Sequence, residues 1–329
     1  MKFLKNNPME DFKERLKAKA KEIGFDLIGF AKAEKLGQEF DNYLSWLASG
    51  FNAKMDYLER NKEKRKDISL ILENPKTIIV TATNYNTPFF HENNIDHFSG
   101  KISRYAWGDD YHDIILAKLN ILSSEISNYE PESKSKCYVD TGPILEKAWA
   151  VRAGIGWQGK NSLILTKKFG SYVFLGLIVT TIEIESDQII SDYCGKCNAC
   201  IENCPTGAIV QPKVVDSNKC ISYWTIETKG KIDFPDNVAN NLKNWVFGCD
   251  ICQEVCPWNR RKIFTREISY YPRQNQTYLD SKDIDMMDNV YFNLRFKNSP
   301  IKRAKLEGIQ KTMTYIKKSG LRNPDLTEK

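Results

Sequence analysis

The spacing Cys194-x2-Cys197-x2-Cys200-x3-Cys204-Pro205 constrains this chain more than any other feature. Cysteines at those intervals, closed by a proline, wrap a cubane iron–sulfur cluster in two-cluster bacterial ferredoxins. A second, broken copy follows as Cys249-x2-Cys252-x3-Cys256-Pro257, with Cys220 upstream, so eight of the nine cysteines fall between Cys194 and Cys256. In such runs three closely spaced thiolates hold one cluster, and the fourth, before proline, reaches across to the other. That logic groups Cys194, Cys197 and Cys200 with Cys256, and Cys204 with Cys220, Cys249 and Cys252. The second run lacks its first thiol at the usual spacing, and Cys220 replaces it, delivered by the insertion Ile221–Val246. Zinc prefers paired Cys-x2-Cys hairpins, which is a different spacing. Disulfides require an exported chain. Eight thiolates are the complement of two 4Fe-4S clusters, so the chain is expected to move electrons.

A plain two-cluster ferredoxin needs only about 60 residues, whereas residues 1–185 precede the cysteines here. The chain therefore divides into three expected parts. Residues 1–185 form a cofactor- or substrate-binding domain, 186–260 a ferredoxin-type domain with both clusters, and 261–329 a basic helical C-terminal region. In the first part, Phe12, Leu16, Ala20 and Ile23 share one helical face over residues 9–23, closed by Gly24. Tyr111–Tyr129 repeats the pattern with Ile114, Ile115, Leu119, Leu122 and Ile126, and Ile144–Ala153 is a third helix ended by Gly154. Phe25–Ala31 and the β-branched run Thr77–Thr83 read as strands, Tyr138–Asp140 begins a short segment, and Leu163–Thr166 and Tyr172–Ile182 read as strands of one sheet. Helices and strands so mixed predict an α+β fold: an N-terminal mixed α/β domain, a ferredoxin-like domain and a short helical C-terminal region.

The net charge of +6 is unevenly distributed: residues 257–329 carry 16 Lys and Arg against 8 Asp and Glu, leaving the rest of the chain slightly acidic. A basic region on a near-neutral body suits a phosphate-backbone partner, and equally a solvated surface. Tyr270, Tyr271, Tyr278, Tyr291 and Phe292 are interleaved there, either to stack on unpaired bases or to form a small core. Met1–Pro8 has no apolar stretch long enough for a signal peptide, and the longest apolar run, Tyr172–Val179, is under half a membrane span. No membrane segment and reduced thiolates together predict a cytoplasmic protein.

Three segments of the first part are dense in polar, aromatic or glycine residues: Arg104–His112, Val139–Pro143 and Gly154–Ser162. Asp140, ahead of Pro143, suits a turn or a helix cap as readily as a site. The glycine segment follows a helix, not a strand, which argues against a dinucleotide loop. Only three histidines exist, His91, His97 and His112, too few for a multi-histidine metal centre, and His112 suits the start of a helix. The Asp-x-His-x-x-Gly signature of cobalamin proteins that supply a histidine ligand is absent. Cys137, the ninth cysteine, is expected to be a buried structural thiol.

At these residues the chain resembles the epoxyqueuosine reductase family. The matching stretches are Arg104-Tyr105-Ala106-Trp107-Gly108-x2-Tyr111-His112, Asp140-Thr141-Gly142-Pro143-x2-Glu146-Lys147 and Gly154-x-Gly156-Trp157-x-Gly159-Lys160-Asn161. They continue through the Cys194–Pro205 run, Cys220-Ile221-Ser222-Tyr223-x-Thr225-Ile226-Glu227 and Gly248-Cys249-Asp250-x-Cys252-x3-Cys256-Pro257-Trp258-Asn259, spanning most of residues 20–310. Many members continue into a helical-repeat extension, of which Ser299–Ala304 resembles the beginning. The resemblance implies a cobalamin-dependent oxidoreductase that reduces epoxyqueuosine to queuosine at the tRNA wobble position, the last step of queuosine biosynthesis. It implies Asp140 as general acid, with a carboxyl pKa raised by a neighbouring buried corrinoid. Arg60, Arg104, Asp140, Lys160, Asn161, Ser222 and Tyr223 become the expected cofactor contacts. The implied partners are the tRNA anticodon stem-loop and an external low-potential electron donor, with the protein a monomer. Two other readings remain open at this point: a corrinoid iron–sulfur reductase of a small molecule, which would leave the basic region without purpose, and a ferredoxin-type electron-transfer module with no active site.

Overall fold

The computed structural model describes residues 8–91 and 98–322. His97, the stretch Met1–Asn7 and the last residues of the basic region lie outside them. At the centre is a four-stranded antiparallel sheet, ordered Leu27–Lys32, Thr77–Asn84, Val173–Thr180 and Ser135–Tyr138. Every residue of Thr77–Asn84 is buried, because helices cover both faces of the sheet. Phe12 and Leu16 of helix Pro8–Glu22 join Ile115, Leu119, Leu122 and Ile126 of helix Tyr111–Tyr129 over Ile79 and Ile178. On the other face Phe40, Trp149 and Ala150 cover Ile78, Val80, Leu177 and Val179. The alternation of Ile78, Ile79 and Val80 between two apolar layers is the period of a strand, and each such fully buried side chain is worth about 1.5–3 kcal/mol. Gly29 lets the edge strand approach the end of helix Glu146–Arg152, since a Cβ there would sit 2.0 Å from the Ala153 carbonyl oxygen.

A second sheet ties together segments far apart in the chain. Trp245–Phe247, between the cysteine runs, pairs in parallel with Gly100–Ile102, which also pairs antiparallel with Tyr278–Leu279. Around it Ile102, Trp107, Ile221, Trp245, Phe247, Phe292, Ile309 and Ile316 share one core, so helix Lys305–Arg322 packs on the segment that separates the cysteines. Tyr270 and Phe292 are buried, whereas Tyr291 is largely exposed.

The α+β class is as the sequence predicts, and helix Tyr111–Tyr129 has the bounds its periodicity gives. One strand assignment differs. Ile164–Leu165 pairs with Trp157–Gln158 in a separate two-stranded ribbon, not with Val173–Thr180 in the main sheet. A two-residue strand presents no periodicity, so only its tertiary partner reveals it. Cys137 is half-buried beside the sheet core, and burial pushes its thiol up to about 11.

Candidate active site

Asp110 caps helix Tyr111–Tyr129, accepting the backbone N–H of His112 at 3.1 Å. Its carboxylate also lies 2.6 Å from His112 Nδ1 and so fixes the imidazole. Tyr111 and His112 stack at 4.1 Å, and the Tyr111 ring lies flat on Phe174 of the central sheet at 4.2 Å. Both side chains point at one atom: the Tyr111 hydroxyl donates to Asp140 Oδ2 at 3.0 Å, and His112 Nε2 stands 3.6 Å from it.

Asp140 follows strand Ser135–Tyr138 with a left-handed φ of +55°, a conformation that costs a non-glycine residue on the order of 1 kcal/mol or more. The strain is held from both sides. Gly142 packs so closely on Tyr138 that a Cβ would meet its ring at 2.4 Å. Glu146, opening the next helix, accepts the Asp140 backbone N–H at 2.7 Å. The Asp140 side chain is 65% exposed although protein surrounds it, which describes the floor of a deep open cleft. Across that cleft, Arg303 bonds Glu227 at 2.9 Å and lies 5.7 Å from the centre of the Tyr57 ring. The charge of Asp140 is felt by Tyr57, Tyr105 and Arg303 alike, so these residues share its cavity.

Protons in the cleft are distributed unevenly. Asp140 is held below the usual carboxylate range, first by the neighbouring His112 ring, then against burial by the Tyr111 hydroxyl. Burial alone would discharge His112, but its bonds to Asp110 and Asp140 outweigh that and raise it to about 9. Burial and the neighbouring Asp140 charge push Glu146 up to about 8. Burial lowers Lys147 despite both acids. The raised pKa expected for Asp140 supposes a corrinoid beside it; within the protein alone, the carboxylate that accepts the Tyr111 hydroxyl and faces the His112 ring keeps its charge, and the groups raised in pKa are His112 and Glu146. His112 is therefore both a capped helix-start histidine and a neighbour of Asp140.

The thiols fall into two groups. All nine cysteines are free, and Cys194, Cys197, Cys200 and Cys256 line one cavity of about 190 Å³ with Tyr193 and Trp258. Mutual repulsion adds to burial in raising Cys200, which feels Cys256, Cys194 and Cys197. Cys249 feels Cys252 and Cys220, and Cys252 feels Cys220, Cys204 and, from the other group, Cys200. The two groups are thus adjacent. They differ in depth: Cys197 is exposed at the surface, whereas Cys252 lies within reach of the Lys147 charge in the cleft. Among the described residues no three His, Cys, Asp or Glu side chains close around a point as a single ion requires. Thiols near one another yet too far apart for one ion fit a cluster.

Buried Asp250, between Cys249 and Cys252, joins the clusters' frame to the rest of the protein. It accepts from Ser103 Oγ at 2.6 Å and from the Arg104 backbone N–H at 2.7 Å. Arg104 itself is buried, donating to the Phe89 carbonyl at 2.8 Å and stacking on Trp107 at 4.4 Å. Its guanidinium ties the Arg104–Ala106 turn to the segment at Phe89. Lys160 Nζ donates to the Gly195 carbonyl at 2.9 Å and Asn198 Oδ1 at 2.8 Å, and Asn161 donates to the Cys252 carbonyl at 3.4 Å. Both support the cysteine loops. The backbone N–H groups of Ser222 and Tyr223 turn toward Cys220, and the Tyr223 hydroxyl accepts the Lys54 backbone N–H at 3.1 Å. Arg60 is exposed beyond the turn Asp56–Leu58. Tyr57, Tyr111, Glu146 and Arg303 were missed by sequence reasoning as site residues. Glu146 stood within a recognised motif, while Tyr57 and Arg303 carry no local signal.

A cleft holding stored protons beside two adjacent sets of four thiols defines an iron–sulfur oxidoreductase. Comparison with known proteins agrees and is more specific. A sequence model described as "4Fe-4S double cluster binding domain" matches residues 193–259, and one described as "Epoxyqueuosine reductase QueG" matches residues 65–141. The epoxyqueuosine reductase of Atelocyanobacterium thalassa is 42% identical, over 89% of this chain and 95% of its own length. That of Synechocystis sp. is 50% identical over 79% of this chain and 89% of its own. A crystal structure of epoxyqueuosine reductase with an epoxyqueuosine-modified tRNA-Tyr stem loop superposes with a TM-score of 0.89 and 32% identity, covering 95% of this chain and 82% of that one. The Bacillus subtilis enzyme, solved with an aspartate-bearing catalytic loop swung out of the active site, gives 0.88 at 31% identity, over 97% and 85% of the two chains. This chain belongs to the epoxyqueuosine reductase family.

The family's second cofactor, cobalamin, also fits the residues present. Both ring nitrogens of His112 face carboxylates, and His91 is enclosed between Trp107 and Trp245. The open cleft beside Asp140, with Tyr57 and Tyr111 in its walls, would hold a corrinoid.

Proposed function

We propose that this chain reduces the epoxide of epoxyqueuosine to the alkene of queuosine at the wobble position of a tRNA anticodon stem-loop, releasing water. The observation that carries the reading is the meeting of Asp140, His112 and Glu146 in one cleft beside the inner thiols. The reaction consumes two electrons and two protons for each oxygen removed. At neutral pH, His112 and Glu146 each hold a proton next to Asp140.

Cobalamin, bound in the cleft, supplies reducing power at the substrate, as cofactors carry the hard chemistry and the protein supplies geometry and protons. In our reading Asp140 takes a proton at Oδ2 from His112, whose own position Asp110 fixes, and relays it to the departing oxygen. Tyr111 keeps the Asp140 carboxyl aimed into the cleft, and Glu146 holds its strained backbone. Glu146 also provides the second proton that completes water. Tyr57, Lys147, Ser222 and Tyr223 are the residues that would hold the corrinoid.

The ligands we assign are Cys194, Cys197, Cys200 and Cys256 for an outer cluster and Cys204, Cys220, Cys249 and Cys252 for an inner one. With Cys197 at the surface and Cys252 near Lys147, an outer cluster would take electrons one at a time from an external low-potential donor and an inner one would deliver them to the cleft. Residues 1–185 supply the proton machinery, 186–260 the clusters, and the basic region from 261 onward a surface for the RNA backbone. No helix among the described residues is long and apolar enough to cross a membrane. We place the protein in the cytoplasm as a monomer, where its thiolates and its RNA are both found.

The test is direct. Protein loaded anaerobically with iron, sulfide and cobalamin, given a chemical reductant and an epoxyqueuosine stem-loop, should yield queuosine-containing RNA by mass spectrometry. RNA returned unchanged from protein holding both cofactors would refute the assignment.

A further inference from the structure

We infer that the lip of the outer cysteine cavity is the docking surface for a small acidic one-electron carrier protein. The inference rests on the proposed route, in which electrons reach Cys194, Cys197, Cys200 and Cys256 first, and it adds the identity and place of the donor.

The outer cavity opens where Cys197 and residues 195–198 are exposed, and its walls are Tyr193 and Trp258. Those rings and Trp157 meet edge to face at 4.8–6.0 Å, a rigid aromatic collar. Cations ring the collar. Lys167 Nζ lies 4.6 Å from the centre of the Tyr193 ring, and Arg261 lies 5.8 Å from that of Trp258 while donating to the Lys167 carbonyl at 2.7 Å. Lys196 stands exposed between two of the cysteines, Lys160 bonds the same loop, and Lys213 is tied to Lys160 by a backbone bond of 2.9 Å. The nearby acid Asp192 is already paired with Lys213 at 2.9 Å.

A flat aromatic lip over the electron entry, rimmed by cations, is complementary to a carrier whose own cofactor is rimmed by carboxylates. Redox encounters of this kind use small interfaces, under about 1,200 Å², and depend on charge for their rate of association. The RNA backbone is the other polyanion in this system. The cleft that must receive the modified nucleoside lies at the inner thiols, however, so the outer lip is free for a protein.

The test uses the fully loaded enzyme and a reduced acidic two-iron ferredoxin as probe. Cluster bleaching is followed by stopped-flow absorbance, association by biosensor, and RNA binding in parallel. In the double variant Lys167→Glu/Lys196→Glu, cluster reduction by the ferredoxin and its association should slow about tenfold at low salt. Added salt should erase the difference, and turnover driven by dithionite should stay unchanged. Lys21→Glu, an equally exposed reversal on the first helix, should do nothing. Equal ferredoxin rates in the wild type and the double variant would overturn the proposal, as would loss of stem-loop binding in place of ferredoxin binding. Failure of the dithionite reaction in the wild type would instead count against the proposed function.

Discussion

The two halves of the working site are built in opposite ways. Seven of the eight cluster thiols come from two short runs, Cys194–Cys204 and Cys249–Cys256, whose spacing alone sets their geometry. The proton side is assembled from Tyr57, Tyr111, His112, Asp140, Glu146 and Arg303, which no local pattern brings together. It also carries strain at its central residue, with Asp140 at a φ of +55° held by Glu146 and by Gly142 packed on Tyr138. Electron chemistry tolerates a rigid local motif because its cofactors do the tuning. Proton delivery needs particular pKa values, and those arise only where burial and opposite charges meet.

The contrast can be broken from either end. Removing an inner thiol with Cys252→Ala should abolish turnover and lower iron content from about eight toward four per chain; retention of full iron and turnover would remove that residue from the ligand set. On the proton side His112→Gln should slow turnover by about 10–100-fold while leaving iron and corrinoid bound.

A smaller effect separates the two stored protons. Wild-type activity should decline with rising pH in two steps, as Glu146 loses its proton near 8 and His112 near 9. Glu146→Gln, which still accepts the Asp140 N–H, should delete the lower step and lose only several-fold in rate. An unaltered pH profile in that variant would show that Glu146 supplies no proton.

The smallest effect is on stability. His112 is raised above its ordinary value of 6.5, so its contribution is complete below 6.5 and is lost as pH rises through about 9. The Tm of the wild type should therefore exceed that of His112→Gln by about 2–4 °C at pH 6 and converge with it by about pH 10. A constant gap across that range would mean the ring contributes by packing and not by charge.

Legibility in the sequence follows the same division. Helix Tyr111–Tyr129 and strand Thr77–Asn84 were readable because long periodic or β-branched runs report their own burial. The Ile164–Leu165 ribbon was not, since two residues have no period. Asp140 was visible through its motif, but the partners that set its charge within the protein, His112 and Tyr111, were not, because they arrive from a helix nearly thirty residues earlier in the chain. The protein partners of Lys160 and Asn161 were not legible either, since a glycine-rich segment announces close approach without saying to what. Nor were those of Arg104, a buried guanidinium whose partners are backbone carbonyls invisible to any pattern.

One measurement reaches the centre of the account: a single anaerobic turnover of the modified stem-loop by Asp140→Asn enzyme, with alkene product and cluster spectra recorded together. The account predicts intact, reducible clusters and bound corrinoid with alkene formation slowed by about 10²–10⁴. Alkene forming at the wild-type rate would contradict it, because the proton would then reach the oxygen without the one carboxylate the fold strains to present.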